Sequence, residues 1–275
     1  MTDRSTDGMA DGSTDRPTGT TARSAAGSAR VRPAPGSEPA AVYFPACVQT
    51  MFGPAVPGSP GTQHSFEQLC ERVGIALFVP EGIDALCCGT PWASKGLTKG
   101  LATMSEKTLT ALRRATRNGE LPVICDASSC TEGLRHIIAG DTSATPITVM
   151  DAVEFAAARI LPQLPDYEKI ESLALHPTCS STRMGANAAL QAVADGVAER
   201  VEIPENWGCC AFAGDRGMLH PELTASATKA QAADVLAMDA AAFASCNRTC
   251  ELGMTRATGK PYRHVLELLE ELTRP

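Results

Sequence analysis

Cysteine residues have the clearest chemical potential in this sequence, because their spacing repeats. Two pairs of adjacent cysteines each have a single cysteine upstream and a more widely spaced pair downstream. Ten of the 11 cysteines in the 275-residue chain follow this pattern. The first set is Cys47, Cys87, Cys88, Cys125 and Cys130, and the second set is Cys179, Cys209, Cys210, Cys246 and Cys250. Since thiolates are soft ligands, each set could hold an iron–sulfur cluster or zinc.

The adjacent pairs distinguish between these two kinds of site. Protein zinc sites usually take cysteines separated by two to four residues, whereas neighbouring side chains diverge and fit one tetrahedral ion poorly. Two neighbouring thiolates reach different irons of a cluster more easily, and four cysteines usually hold one cluster. The sequence therefore favours an iron–sulfur cluster in each set, with zinc, dithiol redox chemistry and plain burial as alternatives.

Composition limits where the chain works and what it binds. A formal net charge of −7, a pI near 5.3 and the lack of a Lys/Arg-rich run argue against nucleic acid or an anionic membrane as the main partner. No apolar run has the length of a transmembrane span, and the N-terminus lacks the pattern of a secretory signal. We therefore expect a cytoplasmic protein, in which thiols stay reduced and act as ligands or redox groups.

Alternating strand and helix patterns surround the cysteines. Strands are predicted at 41–47, 75–79, 121–126, 147–150, 173–176, 201–203 and 241–245, and helices at 65–73, 97–118, 151–160, 185–200, 222–238 and 262–272. Continuous apolar strands of this kind are typical of parallel sheets that helices cover on both faces. The expected fold is α/β, with two similar Rossmann-like halves and short parallel sheets.

Three segments are predicted along the chain. Residues 1–40 are rich in Thr, Ser, Gly, Asp and Pro and are expected to form a disordered tail. A run with two prolines, Leu161 to Pro165, separates a first domain at 41–165 from a second domain at 166–275. The cysteine pattern has a period of about 120 residues, as an internal duplication would produce. Because most cysteines follow predicted strands, we expect each set to meet at the carboxyl edge of its sheet.

The surroundings of the cysteines resemble a known family. Cys87-Cys88-Gly89, with one upstream cysteine and a downstream pair, is similar to the cysteine-rich CCG domain found in the iron–sulfur subunits of heterodisulfide reductase, glycolate oxidase and glycerol-3-phosphate dehydrogenase. Within that group, four motifs resemble the C-terminal part of FAD-linked, cytochrome-type D-lactate dehydrogenases. These motifs are Tyr43-Phe44-Pro45-Ala46-Cys47, Cys87 to Gly96, Phe212 to Gly217 and Asn247-Arg248-Thr249-Cys250-Glu251.

The resemblance implies a function in electron transfer. It implies one [4Fe-4S] cluster in each half, which would accept electrons from a flavin that oxidises a 2-hydroxy acid and pass them to a quinone or cytochrome. The chain contains no Gly-rich dinucleotide motif, so FAD is expected only on a partner, either a flavoprotein dehydrogenase subunit or an N-terminal domain that is missing here. Through that partner, the chain would lie peripherally at the inner face of a membrane.

The resemblance also implies ligand roles. All ten patterned cysteines are candidate metal ligands. Burial in the core is an alternative for Cys125 and Cys246, because the downstream pair of the family is normally Cys-x-x-Cys. Ala211 replaces the glycine of the second Cys-Cys-Gly motif, and Cys70 is expected in the core because it lies within a predicted helix.

Four other polar residues near the motifs have alternative interpretations. Lys95 and Arg216 could offset the negative charge of thiolate-bound clusters, or they could be solvated loop cations. His176 and His220 precede prolines, and helix capping or burial is favoured over metal binding for both. No residue is predicted to be catalytic.

The sequence thus predicts the iron–sulfur electron-transfer module of a flavin-dependent 2-hydroxy-acid dehydrogenase of the D-lactate or glycolate type. Two other functions stay open. One is the reduction of a disulfide at a cluster, as in heterodisulfide reductase, and the other is structural zinc binding. Without a flavin domain, the chain is expected to be an oxidoreductase component rather than a complete dehydrogenase.

Overall fold

Two parallel sheets form the framework of the protein. The computed structural model describes residues 38–142 and 145–275. The strands of these residues are β1 (Ala41–Phe44), β2 (Leu77–Phe78), β3 (Val123–Cys125), β4 (Val149–Asp151), β5 (Ile170–Leu175), β6 (Ala198–Glu202), β7 (Ala242–Ser245) and β8 (Tyr262–His264). The central strands β1 and β3 are buried along their whole length, as expected for strands covered on both faces.

Helices connect the strands and cover the sheets. They are α1 (Cys47–Phe52), α2 (Gly61–Arg72), α3 (Thr90–Ser94), α4 (Thr98–Ala115), α5 (Ser128–Ala139), α6 (Ala152–Phe155), α7 (Cys179–Arg183), α8 (Asn187–Val197), α9 (Arg216–Leu219), α10 (Pro221–Ala237), α11 (Arg248–Thr258) and α12 (Val265–Leu272). Pro221 occupies the first turn of α10, where its missing N–H leaves no hydrogen bond unmade.

The two sheets have the same strand order. The first sheet is β2-β1-β3-β4 and the second is β6-β5-β7-β8, and all neighbouring strands are parallel. The register agrees as well, since Val42 pairs with Val123 in the first sheet and Ala174 pairs with Phe243 in the second. The predicted α/β fold with two similar Rossmann-like halves is confirmed.

Helices from both halves pack into one shared core. α12 contacts α2 and α8, and α6 also contacts α8. Phe66 and Phe155 from the first half are buried in the same apolar cluster as Leu190 and Leu269 from the second half. Burial of each such side chain stabilises the fold by about 1.5–3 kcal/mol. The two halves therefore stabilise each other, and both sets of cysteines belong to one cooperative structure.

The structure differs from the sequence prediction near the end of the chain. The apolar pattern predicts one helix over 262–272, but Tyr262–His264 forms β8 and the helix begins only at Val265. Tyr262 pairs with Phe243 of β7, and the two rings lie 5.6 Å apart between their centroids. Three residues are too few to show the alternation of a strand, so cross-strand packing decides the outcome.

Two other predictions concern the N-terminal tail and the boundary between the two halves. The predicted tail at 1–40 falls almost entirely outside the described residues. At the predicted domain boundary, Leu161–Gln163 forms a short 3-10 turn. Within the described ranges, no helix combines the length and the apolar character needed to cross a membrane.

Candidate metal centres

The first set of cysteines lies at the carboxyl edge of the first sheet. Cys47 begins α1 shortly after β1, Cys125 is the last residue of β3, and Cys130 lies in the first turn of α5. Cys87 and Cys88 occupy the loop that leads into α3. Parallel strands bring their carboxyl ends to one edge, so this topology gathers five thiols that are distant in sequence.

Hydrogen bonds among these thiols distinguish Cys88 from the others. Donation from Cys130 and Cys87, helped by Thr90, holds the pKa of Cys88 well below its usual range although the side chain is buried. The bond to Cys88 raises the pKa of Cys87. Bonds to Cys125 and then to Cys88 raise the pKa of Cys130. The thiols of the first group thus lie close enough to shift one another's pKa, and a metal cation bound there would replace their protons.

Two glycines allow the first pair to approach α5 closely. Gly89 has a left-handed backbone with φ of +82°, a conformation that glycine adopts without strain. A Cβ atom on Gly133 would lie only 2.5 Å from the carbonyl oxygen of Cys88. The missing side chain lets α5 pack against the loop, and this packing sets Cys130 beside Cys88.

The second sheet gathers four thiols and one imidazole. Cys179 begins α7, Cys209 and Cys210 lie in the loop before α9, and Cys250 lies in the first turn of α11. His176 directly follows β5. One of its ring nitrogens lies within 4.8 Å of the sulfur atoms of Cys210 and Cys250, which are themselves this close. This mixed group has the composition and proximity of a metal site.

The thiols of the second group are also linked by hydrogen bonds. A bond to Cys209 raises the pKa of Cys179, and burial adds to this effect. For Cys210, a bond from Cys209 lowers the pKa, but a bond to Cys250 and burial outweigh it, so the pKa is raised. These pKa shifts connect Cys179 with Cys209, Cys209 with Cys210, and Cys210 with Cys250. They indicate that the four thiols form one continuous group.

His176 is held neutral and lacks a hydrogen-bond partner. Burial lowers the pKa of His176 to about 4, although the amide of Gln231 lies near enough to oppose this shift. The imidazole of His176 and the side-chain amide of Gln231 make no hydrogen bond of normal geometry. Neither ring nitrogen has any other partner in the described residues. Buried polar groups are rarely left unpaired. A neutral imidazole beside two thiols is therefore a candidate ligand, a role that the sequence analysis did not favour.

Cys246 faces away from the second group. Its sulfur lies 3.9 Å from the hydroxyl oxygen of Thr178, and burial raises its pKa to about 12. It packs in the core shared by both halves rather than in the apolar cluster that contains Cys210. Cys125, in contrast, packs in the cluster that contains Cys88.

The register of the two sheets explains this difference. α5 begins three residues after Cys125, and α11 begins three residues after Ser245, so these two residues occupy equivalent positions. Cys246 corresponds instead to Asp126, which accepts a hydrogen bond of 2.7 Å from the backbone N–H of Ala46. Successive side chains point to opposite sides, so a shift of one residue moves a thiol away from the site. This shift of one residue is the reason that the downstream cysteines are spaced Cys-x4-Cys in the first half and Cys-x3-Cys in the second.

The two cations expected near the clusters lie at the surface. Lys95 Nζ forms an ion pair of 2.6 Å with Asp215, so it joins the loop after the first pair to the loop after the second. The hydrogen bond from Lys95 lowers the pKa of Asp215. Arg216 is exposed. A cation that the sequence analysis missed is Arg183, which lies one helical turn after Cys179 and opposes the rise in its pKa.

The other expectations for single residues have mixed outcomes. Cys70 is buried within α2, as expected. His220 is exposed, so its expected core role is wrong. It occupies the expected N-cap position of α10, although its side chain makes no cap hydrogen bond. The position of His176 could have been found by aligning Phe44 to Cys47 with His176 to Cys179. Both stretches place proline two residues before a cysteine that begins a helix.

The hydrogen-bond donors around the second group suit a thiolate-bound cluster. In the second group, the backbone N–H of Ala211 lies 3.3 Å from the sulfur of Cys209, and the amide of Asn247 lies 3.7 Å from that of Cys250. Hydrogen bonds to sulfur stabilise thiolates and tune cluster potentials. The first set contains five candidate sulfur ligands, whereas the second contains four and a nitrogen. Among the described residues, the ligand atoms of His176, Cys210 and Cys250 are the group that lies within 4.8 Å of one another. Both sets are therefore large and soft enough for an iron–sulfur cluster.

Comparison with protein families agrees with this geometry. A family model of the CCG cysteine-rich domain matches residues 41–135 and, a second time, residues 173–255. No curated protein matches the chain. Each matched region contains one adjacent pair of cysteines together with its upstream and downstream cysteines. Since the two regions make up more than half of the sequence, the chain belongs to the CCG cysteine-rich domain family and contains two copies of the domain.

Proposed function

We propose that this protein is the iron–sulfur electron-transfer module of a flavin-dependent 2-hydroxy-acid dehydrogenase of the D-lactate or glycolate type. The observation that carries the proposal is the gathering of thiols at equivalent edges of two equivalent sheets. Membership of the CCG family and these Cys and His groups indicate metal binding or iron–sulfur electron transfer. The motif resemblance described above supports the dehydrogenase as the context.

Each group would hold one [4Fe-4S] cluster. The first site would use Cys47, Cys87, Cys88, Cys125 and Cys130, and the second would use Cys179, Cys209, Cys210 and Cys250, with His176 beside them. When bound, such clusters supply one-electron transfer. The chain itself keeps water from one side of each site, since Cys88 and Cys210 are buried. Cys47 and Cys209 are exposed, so each site reaches the surface where a redox partner could approach.

The proposed electron donor is the FAD of a flavoprotein dehydrogenase, carried by a partner subunit or by a further domain. The proposed acceptor is a quinone or a cytochrome. The exposed thiol of each site lies in a different half of the chain. This arrangement supports a relay in which one site receives electrons and the other delivers them.

The test is the metal content of the anaerobically purified chain, measured as iron, acid-labile sulfide and zinc, with EPR spectra before and after dithionite. About eight irons and eight sulfides per chain are expected for two four-iron clusters. Cys88→Ser should lower both contents by about half, while Cys70→Ser, which replaces a buried cysteine outside both groups, should leave them unchanged. A chain that binds no iron after anaerobic reconstitution would contradict the proposal.

A second candidate function is structural zinc binding in the second half. One observation favours it, namely the mixed group of His176, Cys210 and Cys250, because two thiolates and an imidazole are common zinc ligands. In that case, the purified chain would contain zinc without sulfide in the second site. His176→Phe would then lower zinc content and leave the iron of the first site intact.

A further inference from the structure

A cavity of about 440 Å³ lies next to the first group of thiols. Its walls come from α3, α4 and α5, through Ala93, Leu101 and Ile137 respectively. Cys88 contributes to the lining and is buried, whereas Ala93 and His136 are exposed. The cavity therefore leads from the surface to the candidate metal centre, and its volume lies within the range of small-molecule sites.

The chemistry of the lining excludes some ligands. Its walls are largely aliphatic, and none of the described residues that line it is Lys or Arg. Its carboxylate, Glu132, is already bound to Arg183 at 2.6 Å and to the hydroxyl of Ser180 at 2.7 Å. A carboxylate ligand such as a 2-hydroxy acid would find no cation here, and burying its charge unpaired would be costly. The lining suits an uncharged molecule with a large apolar surface.

Few polar groups line the cavity, and they can form hydrogen bonds with carbonyl or hydroxyl oxygens of a ligand. The Nδ1 of His136 donates to the backbone carbonyl of Glu132 at 2.8 Å, because that oxygen can only accept. The Nε2 atom then remains to accept a hydrogen bond from a ligand hydroxyl. Ser105, on α4, adds a hydroxyl that can donate to a ligand carbonyl. Apolar walls with one acceptor and one donor match a flat ring that carries oxygens at its edge.

We propose that this cavity binds the headgroup of a quinone, with the ring packed against Leu101 and Ile137 and the oxygens near His136 and Ser105. The proposal rests on the proposed function and selects the quinone over the cytochrome as electron acceptor. Conversion of the quinone to the quinol takes up two electrons and two protons. The reduced flavin of the partner supplies two electrons, and the protons enter from solvent at the exposed mouth.

Binding of duroquinone to the cluster-loaded chain tests this assignment. The four methyl groups of duroquinone hinder addition of thiols to the ring, so binding can be measured by anaerobic titration with ligand-observed NMR. Ala93→Phe should fill the cavity and weaken binding at least tenfold. Ala102→Phe is the matched control, since Ala102 is also an exposed helical alanine but does not line the cavity. It should bind duroquinone like the unmodified chain.

Iron and sulfide content, measured on the same samples, separates the two proposals. Iron-loaded protein that does not bind duroquinone, or that binds it equally after Ala93→Phe and after Ser105→Phe, would overturn the quinone site and leave the proposed function intact. Binding that is sensitive to both cavity variants in a chain without iron would support the site and overturn the proposed function. The second variant, Ser105→Phe, fills the cavity from α4, so the test does not depend on how well α3 tolerates a larger residue.

Discussion

The two halves have the same strand order but place different chemistry at equivalent strand ends. Phe44 of the first half corresponds to His176 of the second, and Cys125 corresponds to Ser245. The first site is therefore all sulfur, whereas the second loses one sulfur and gains a nitrogen nearby. Duplication has preserved the scaffold more strictly than the ligands. Under the proposed function, this difference in ligand type would give the two clusters different potentials.

A second difference lies where the last strand of each sheet meets its helix. Asp151 pairs with Cys125 and His264 pairs with Ser245, so the two residues are equivalent. Each caps the following helix, since Asp151 accepts from the N–H of Val153 at 3.1 Å and His264 Nδ1 accepts from that of Leu266 at 3.3 Å. Burial raises the pKa of Asp151 to about 7 and lowers the pKa of His264 to about 3.

The largest expected effect concerns Cys125 and Cys246, which occupy the same place in the cysteine pattern of the two halves. Cys125→Ser should weaken the first site and lower iron per chain by up to about half, because Cys125 lies among the other thiols. Cys246→Ser should leave iron content unchanged, because that thiol faces the hydroxyls between the halves. Iron and sulfide analysis of both variants is the measurement. Equal losses would mean that the register difference has no consequence for metal binding.

The second prediction uses the opposite titration of the two capping residues. Asp151 has a folded pKa above its unfolded value near 4, so its contribution to stability is present below pH 4 and is lost as pH rises towards 7. His264 has a folded pKa below its unfolded value near 6.5, so stability rises between about pH 3 and 6.5. Each effect should be on the order of 4 kcal/mol over its full pH range.

Asp151→Asn and His264→Asn separate these contributions, because asparagine preserves a helix cap without titrating in this range. The free energy of unfolding should be measured by anaerobic urea titration between pH 4 and 8. Asp151→Asn should remove the fall in stability up to pH 7, and His264→Asn should remove the rise up to pH 6.5. Unchanged slopes in both variants would show that neither group titrates differently in the folded state.

The smallest effect concerns the residue after each adjacent pair. Gly89 and Ala211 both have positive φ, at +82° and +53°. Gly89→Ala should destabilise by about 1–2 kcal/mol, because the new Cβ would also lie 2.9 Å from Leu101 Cδ1. Ala211→Gly should change stability by at most about 1 kcal/mol in the favourable direction, since relief of strain is offset by chain entropy. Thermal unfolding of both variants checks the asymmetry, and a destabilised Ala211→Gly would contradict it.

Much of the fold follows from local sequence. Apolar runs such as Ala41–Phe44 and Val123–Cys125 predict buried parallel strands, and each cysteine just after a strand then belongs to the carboxyl edge. The strand Tyr262–His264 was missed because its pairing with β7 decides its conformation, and each paired residue of β7 lies 19 positions earlier in the sequence. Short strands of this kind depend on tertiary packing rather than on local propensity.

The site itself was harder to predict than the fold. Equal cysteine counts suggested that Cys125 and Cys246 were equivalent, but only the strand register shows which side chains face the same way. His176 was favoured as a cap or core residue because a histidine before a proline has many ordinary explanations. Its unpaired nitrogens beside two thiols become visible only in three dimensions.

The packing of α12 on α2 has a consequence for how the chain folds during its synthesis. Thr62 donates to Glu267 across 205 residues of sequence, and Arg72 pairs with Glu270 across 198. At bacterial or eukaryotic elongation rates, roughly 10–40 s pass between the emergence of these helices from the ribosome. During that interval α2 lacks the helix that covers it, so the nascent first half exposes the apolar face that α12 later buries. That apolar face is then accessible to chaperones for longer than any surface of the second half.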